Sequence, residues 1–200
     1  MADFRTIETR IHGRYLVRGA DPRRVLVGFH GYAENAAEHL AQLEQIPGAE
    51  EWTLVAVQGL NRFYRGRTEV VVASWMTRED REQGIADNLV YVRAIVDTFP
   101  DRERLAFLGF SQGAAMAYRA AAAIHAAALL VLGGDFPPDV DPAALPPVLI
   151  GRGERDDWYT AEKLQQDLRF LPTATVVQLD AGHEWTDGFR AAAGRFLDRR

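Results

Sequence analysis

The sequence contains no cysteine. That excludes a disulfide framework, a thiolate metal centre and a cysteine nucleophile, and it is compatible with any compartment. Lysine is nearly missing too: Lys163 is the only one among 23 basic residues, a compositional bias toward arginine. Serine occurs only at Ser74 and Ser111. Nowhere are there about 18 consecutive apolar residues, so no stable membrane insertion is expected. The opening segment, MADFRTIETR, has none of the apolar core of a secretory leader, and a soluble cytoplasmic protein is expected. A phosphate-cradling loop is missing as well, because Gly133-Gly134 has neither the spacing nor a following Lys-Ser/Thr. There is no HxH or HExxH, and His30 and His183 have no cysteine to join them, so neither a metal nor another cofactor is expected. A net charge of −5 speaks against nucleic acid as the main partner.

What is present fits one compact domain over residues 1–200. With 48% apolar residues, such a chain can bury roughly 70% of the surface its unfolded form exposes. No internal repeat or low-complexity linker divides it. Apolar runs at 25–29, 53–57, 105–108, 128–132, 147–151 and 174–179 read as strands, those at 25–29, 128–132 and 147–151 as buried ones. Segments of helical spacing or composition follow at 35–45, 83–98, 112–123, 160–170 and 186–197, with Thr160 placed to cap the fourth. This alternation predicts an α/β fold with a mainly parallel central sheet and helices on both faces. Residues 6–8 and 15–18, around His12-Gly13, predict an edge hairpin. Residues 58–81 read as a long irregular connection.

The chain is organised around residues 105–123, LAFLGFSQGAAMAYRAAAA. A strand runs into Gly109-Phe110-Ser111-Gln112-Gly113 and leaves as a helix, with the serine at the apex. With 17 glycines in 200 residues and only two serines, chance alone rarely frames a serine this way. The glycines allow strand and helix to approach where Cβ atoms would not fit, and the serine is held strained with Oγ exposed. Gln112 then offers its backbone N–H at a helix N-terminus, half of an oxyanion hole.

A serine hydroxyl needs a base, and histidine has the right pKa. His30 and His183 fall at strand carboxyl ends, where ligand sites of such sheets lie. His183 follows the last strand and is read as the base; His30 is read as a structural histidine bonding neighbouring loops. The base needs a carboxylate to fix its tautomer, and Asp156, just past a buried strand, is the first choice, with Asp157 and Asp135 as alternatives. His30-Gly31-Tyr32 follows an early strand, and the Tyr32 N–H is read as the second oxyanion donor. Phe63, Tyr64, Trp75, Phe136, Trp158 and Trp185 fall in loops near the same rim, where they line a substrate pocket or pack loop to core. Arg62, Arg65 and Arg67 read as a solvated face.

GFSQG with its alanine-rich helix, Phe29-His30-Gly31 after the early strand, Ser74-Trp75 before the connecting helix, and Gly182-His183 together resemble the α/β-hydrolases. The closer resemblance is to the phospholipase/carboxylesterase family, which includes acyl-protein thioesterases and small bacterial carboxylesterases. It spans nearly the whole chain. It implies Ser111, Asp156 and His183 as a catalytic triad, Tyr32 and Gln112 as main-chain oxyanion donors, and little or no lid. The partner expected is a small-molecule ester, with thioesters and lysophospholipids in the same class; a homodimer stays open. The chain departs from the family at Gln58-Gly59-Leu60, where a proline-containing segment is common, and at Arg152-Gly153, where His-Gly is. The rival readings are a non-catalytic binding protein on the same fold, which would have no need of an intact triad, and a dienelactone-hydrolase-like enzyme, which a cysteine nucleophile would have favoured.

Overall fold

Strand β6 (Arg104–Phe110) lies fourth of seven in the central sheet, whose order is β1-β3-β2-β6-β7-β8-β9. Its neighbours are β2 (Arg24–Phe29) on one side and β7 (Ala128–Leu132) on the other, followed outward by β8 (Val148–Gly153) and β9 (Thr175–Leu179). Beyond β2 come β3 (Thr53–Gln58) and the edge strand β1 (Arg14–Arg18). All neighbours run parallel except β1, which is antiparallel to β3. This computed structural model describes residues 3, 5–19 and 21–199.

Alternation along the strands builds two cores. Val25, Val27, Phe29, Phe107, Val131 and Ile150 face one side. There they meet the helices α2 (Arg81–Val96), α3 (Gln112–Ala123) and α4 (Ala161–Phe170) through residues such as Val92, Ala117 and Leu164. Leu26, Ala106, Leu108, Leu130 and Leu149 face the other. They meet α1 (Ala36–Leu43) and α5 (Asp187–Asp198) through Leu40, Leu43, Phe189 and Phe196. Both faces of the central strands are therefore buried, which is why they read as continuous apolar runs rather than alternating ones.

The helix starts follow capping chemistry. Asn35 and Glu38 form a capping box on α1, and the side chains of Thr160 and Thr186 accept the Lys163 and Phe189 N–H groups at the starts of α4 and α5. Among the described residues, no helix is long and apolar enough to cross a membrane.

Two expectations need correction. Residues 6–8 form no strand: residues 5–13 are exposed, and β1 takes β3 as its partner, with Leu16 opposite Ala56. The stretch 58–81 is not irregular throughout, because β4 (Asn61–Tyr64) and β5 (Val71–Ser74) pair as an antiparallel hairpin outside the main sheet. β4 is four residues long and largely exposed, so it leaves no burial pattern in the sequence. Strand β8 also runs two residues past its apolar stretch. It buries Arg152 there because the guanidinium Nε donates to the Tyr159 carbonyl at 2.8 Å.

Candidate active site

The turn between β6 and α3 holds Ser111 at φ +54°, a region that a residue with a Cβ enters only under strain. The constraint comes from both neighbours. A Cβ on Gly109 would lie 2.4 Å from the Gly113 carbonyl oxygen, so strand and helix touch backbone to backbone. The Ser111 N–H donates to the Leu132 carbonyl at 2.9 Å, and its own carbonyl accepts the Ala114 N–H at 2.9 Å. The hydroxyl is thus presented at the carboxyl end of the sheet by fixed main chain.

His183 follows β9 and meets that hydroxyl. Its Nε2 lies 2.7 Å from Ser111 Oγ, and its Nδ1 lies 2.8 Å from Asp156 Oδ2. A carboxylate only accepts, so Nδ1 carries the proton, Nε2 is the acceptor, and the Ser111 hydroxyl donates to it. The Asp156 side chain is almost wholly buried, and its second oxygen accepts the Trp158 and Tyr159 N–H groups, both at 2.8 Å. Those two bonds aim the carboxylate at the imidazole. Phe110 packs its ring against His183, with centroids 5.1 Å apart.

The loop after β2 closes the site from the other side. His30 is fully buried; its Nε2 accepts the Gly59 N–H at 3.0 Å, so its Nδ1 proton faces the Gly31 carbonyl at 2.7 Å. Burial pushes the His30 imidazole down to about 4, with the Gly31 carbonyl acting against that shift. Glu34 reaches back and accepts the Gly31 N–H at 2.7 Å; burial raises its carboxyl above the usual range, opposed by that same bond. Ala33 sits at φ +58°. Its N–H donates to Ala73 at 3.1 Å, and its carbonyl accepts from Arg65 Nε at 3.1 Å and Nη2 at 2.7 Å. Among the described residues, the N–H groups of Tyr32 and Gln112 have no protein acceptor. This arrangement has the parts for acyl transfer: an oriented hydroxyl, a base in a defined tautomer, a buried acid and free main-chain donors beside them. Among the described residues, no group of three or more His, Cys, Asp or Glu side chains is placed to hold a metal ion.

No family model and no curated protein matches the sequence. Solved structures do match. Acyl-protein thioesterase 2 of Zea mays superposes with a TM-score of 0.76 at 19% identity, covering 94% of this chain and 99% of that one. Esterase PE8 gives 0.75 at 19%, covering 94% and 99%. A phospholipase/carboxylesterase from Dyadobacter fermentans gives 0.70 at 17%, covering 93% and 96%. The fold is that of the α/β-hydrolases.

Within this α/β-hydrolase fold the structure brings Ser111, His183 and Asp156 together. It separates Asp156 from its neighbour: Asp157 is exposed, and Asp135 pairs at 3.5 Å with Lys163. The aromatic residues scatter. Trp158 is 74% exposed with its ring 6.5 Å from that of His183, and Phe63 lies 5.6 Å from the exposed ring of Tyr32. Trp185 packs on Phe110, His39 and Phe189, and Phe136 packs between Tyr118 and Phe170.

Trp75 is not on the rim. It is fully buried against Phe29 and His30, and its Nε1 donates to the His30 carbonyl at 2.8 Å. An indole with an apolar body and one donor satisfies itself best in such a place. The Gln112 side chain joins it there, accepting the Trp75 N–H at 2.9 Å and donating to the Met76 carbonyl at 3.0 Å. Two further residues have roles that the sequence does not show. Glu34 and Arg65 brace the Tyr32 loop, and neither has a local pattern that marks it; Arg65 is a clamp rather than part of a solvated face.

Proposed function

We propose that this protein is a serine carboxylesterase that hydrolyses acyl esters through an acyl-enzyme. The observation that carries the reading is the unbroken line from the buried Asp156 carboxylate through His183 to the hydroxyl of the strained Ser111. Ser111 Oγ attacks the ester carbonyl while its proton passes to His183 Nε2, and the carbonyl oxygen becomes an oxyanion. The N–H groups of Tyr32 and Gln112 hold that oxyanion, and Asp156 supports the imidazolium. Collapse of the tetrahedral species breaks the ester C–O bond, and His183 returns the proton to the leaving alcohol. Water, deprotonated by His183, then attacks the acyl-serine and releases the carboxylic acid. That the structural neighbours include an esterase and an acyl-protein thioesterase supports this class of reaction and extends it to thioesters.

The test is turnover of p-nitrophenyl esters from acetate to dodecanoate. Ser111→Ala is expected to lower kcat by ~10⁴-fold or more, and Asp156→Asn by ~10⁴-fold, because the amide imposes the wrong histidine tautomer. Asp157→Asn should stay within about threefold of the parent, as expected of an exposed side chain outside the line. If folded wild-type protein turns over no ester or thioester, the hydrolase reading falls and a binding role on this fold takes its place. The chain-length profile would name the acyl preference.

A further inference from the structure

A cavity of about 370 Å³ lies away from the serine between the edge strand β1, the start of α1 and the β4–β5 hairpin. Its size is that of a small-ligand pocket. Arg14 and Arg62 stand at it, and no Asp or Glu lines it. Neither arginine has a carboxylate partner among the described residues; Arg62 spends one nitrogen on the His12 carbonyl at 3.3 Å. Glu38, the one acid of α1, is taken by Arg65 at 2.7 Å and by the Asn35 N–H at 3.2 Å. The positive charge here is therefore uncompensated.

Gln58 supplies an independent sign of a missing ligand. It lines the cavity and is only 8% exposed. Its Oε1 accepts the Ala36 N–H at 2.9 Å, while its Nε2 is buried with no acceptor. Buried amide donors are nearly always paired, and leaving one unpaired is costly. The first turn of α1 adds to this. Its capping box uses the Asn35 and Glu38 N–H groups and Gln58 takes that of Ala36, which leaves the Ala37 N–H and the positive end of the helix at the same place. Tyr15 and three aliphatic residues complete the walls; Leu16, Val70 and Val71 are 39%, 43% and 45% exposed.

We propose that this cavity binds the carboxylate or phosphate head of a small amphipathic anion, with Arg14, Arg62 and the Gln58 amide on the head and Leu16, Val70 and Val71 along its short apolar chain. Guanidinium groups suit either oxyanion, since both accept two parallel N–H bonds. A purely inorganic ion would leave the aliphatic walls wet, and a neutral lipid would leave the arginines and the amide unmatched. The site is separate from Ser111 and does not rest on the hydrolase reading.

Isothermal titration of the full-length Ser111→Ala protein with hexanoate and with hexyl phosphate tests this, with hexanol as the uncharged control. Saturable binding of at least one anion is expected, at least tenfold tighter than hexanol. It should weaken tenfold or more in Arg14→Ala/Arg62→Ala, whose side chains are exposed enough to be removed without unfolding the protein. Gln58→Glu, which keeps the acceptor for Ala36 and puts a negative oxygen in place of Nε2, should weaken it as far. Tighter hexanoate assigns the site to carboxylates, tighter hexyl phosphate to phosphates. Wild-type protein whose serine carries a covalent phosphonate should bind as Ser111→Ala does. Binding that the double arginine variant leaves unchanged, that the phosphonate abolishes, or that is missing for both anions at millimolar concentration overturns the proposal.

Discussion

Gly113 stands so close to the carbonyl of Phe29 that a Cβ on it would lie 2.1 Å from that oxygen, and 2.5 Å from that of His30. The helix after the Ser111 turn thus begins in backbone contact with the end of β2. That contact sets the distance between Ser111 and the loop carrying Tyr32. Neither partner is a flexible side chain, so a methyl group there forces α3 away from β2.

Gly113→Ala is accordingly expected to destabilise the fold by about 1–3 kcal/mol, the usual range for overpacking, and to lower ester turnover further than the loss of folded protein explains. Urea unfolding gives the first quantity and kcat on a p-nitrophenyl ester the second. A variant with the parent's midpoint and turnover would show that the β2–α3 contact yields at no cost.

The central strands and the GFSQG turn were legible because the chemistry of each is local: a continuous apolar run, or glycines two places either side of a serine. His183 was legible from its place after the last strand. Asp156 could not be told from Asp157 by pattern, since adjacent residues share every neighbour in sequence. They part only when the chain reverses, so that the Trp158 and Tyr159 N–H groups turn onto one of them and leave the other in water. Trp75 misled because its position near the rim in sequence says nothing of where an indole points. Glu34 and Arg65 were illegible for the same reason as the β4–β5 hairpin: their partners, Gly31 and Ala33, are met only after the chain has turned back on itself. The two arginines of the cavity lie one on β1 and one on a hairpin that the sequence did not disclose.

Stability should fall on the acid side for a reason found inside the protein. Burial pushes His30 down to about 4, and burial together with the nearby His30 pushes His39 down to about 3. A free imidazole titrates near ~6.5. Above that pH the folded and unfolded states hold these rings neutral alike, and their full contribution is present. As pH falls below it, the unfolded chain takes up protons that the folded chain refuses. Stability is therefore lost progressively until the folded rings themselves titrate, near 4 and 3. For His30 the loss amounts to roughly 3 kcal/mol. His39 is buried against Trp185, with only the Leu108 backbone acting on its ring as a hydrogen-bonding group, so leucine can replace it. His39→Leu should match the parent at pH 8 to within about 1.5 kcal/mol and lose less stability between pH ~6.5 and ~4. Equal acid slopes in denaturant titrations of the two proteins would place the acid sensitivity elsewhere.

Arg65 offers the sharpest test of how the Tyr32 loop is held. Its Nε and Nη2 grip the Ala33 carbonyl at 3.1 and 2.7 Å, and Nη2 also reaches Glu38 at 2.7 Å. Ala33 needs holding, because its φ of +58° is strained for a residue with a side chain. Without the guanidinium, the main-chain bonds to Ala73 and the bonds between Glu34 and Gly31 are left to keep the loop in this shape. The ion pair itself is half exposed and adds at most about 1 kcal/mol of stability. The effect of Arg65→Ala should therefore appear in kcat, where a loosened donor matters, more than in KM or the unfolding midpoint. A fall of about tenfold is expected, short of the ~10²–10³ that follows complete loss of an oxyanion donor. Arg65→Lys should recover only part of it, since an ammonium cannot place two fixed donors on one carbonyl while holding Glu38. If Arg65→Ala keeps the parent kcat, the Ala73 and Glu34 bonds carry the strain at Ala33 without it. If KM rises instead with kcat unchanged, Arg65 serves substrate binding rather than the oxyanion.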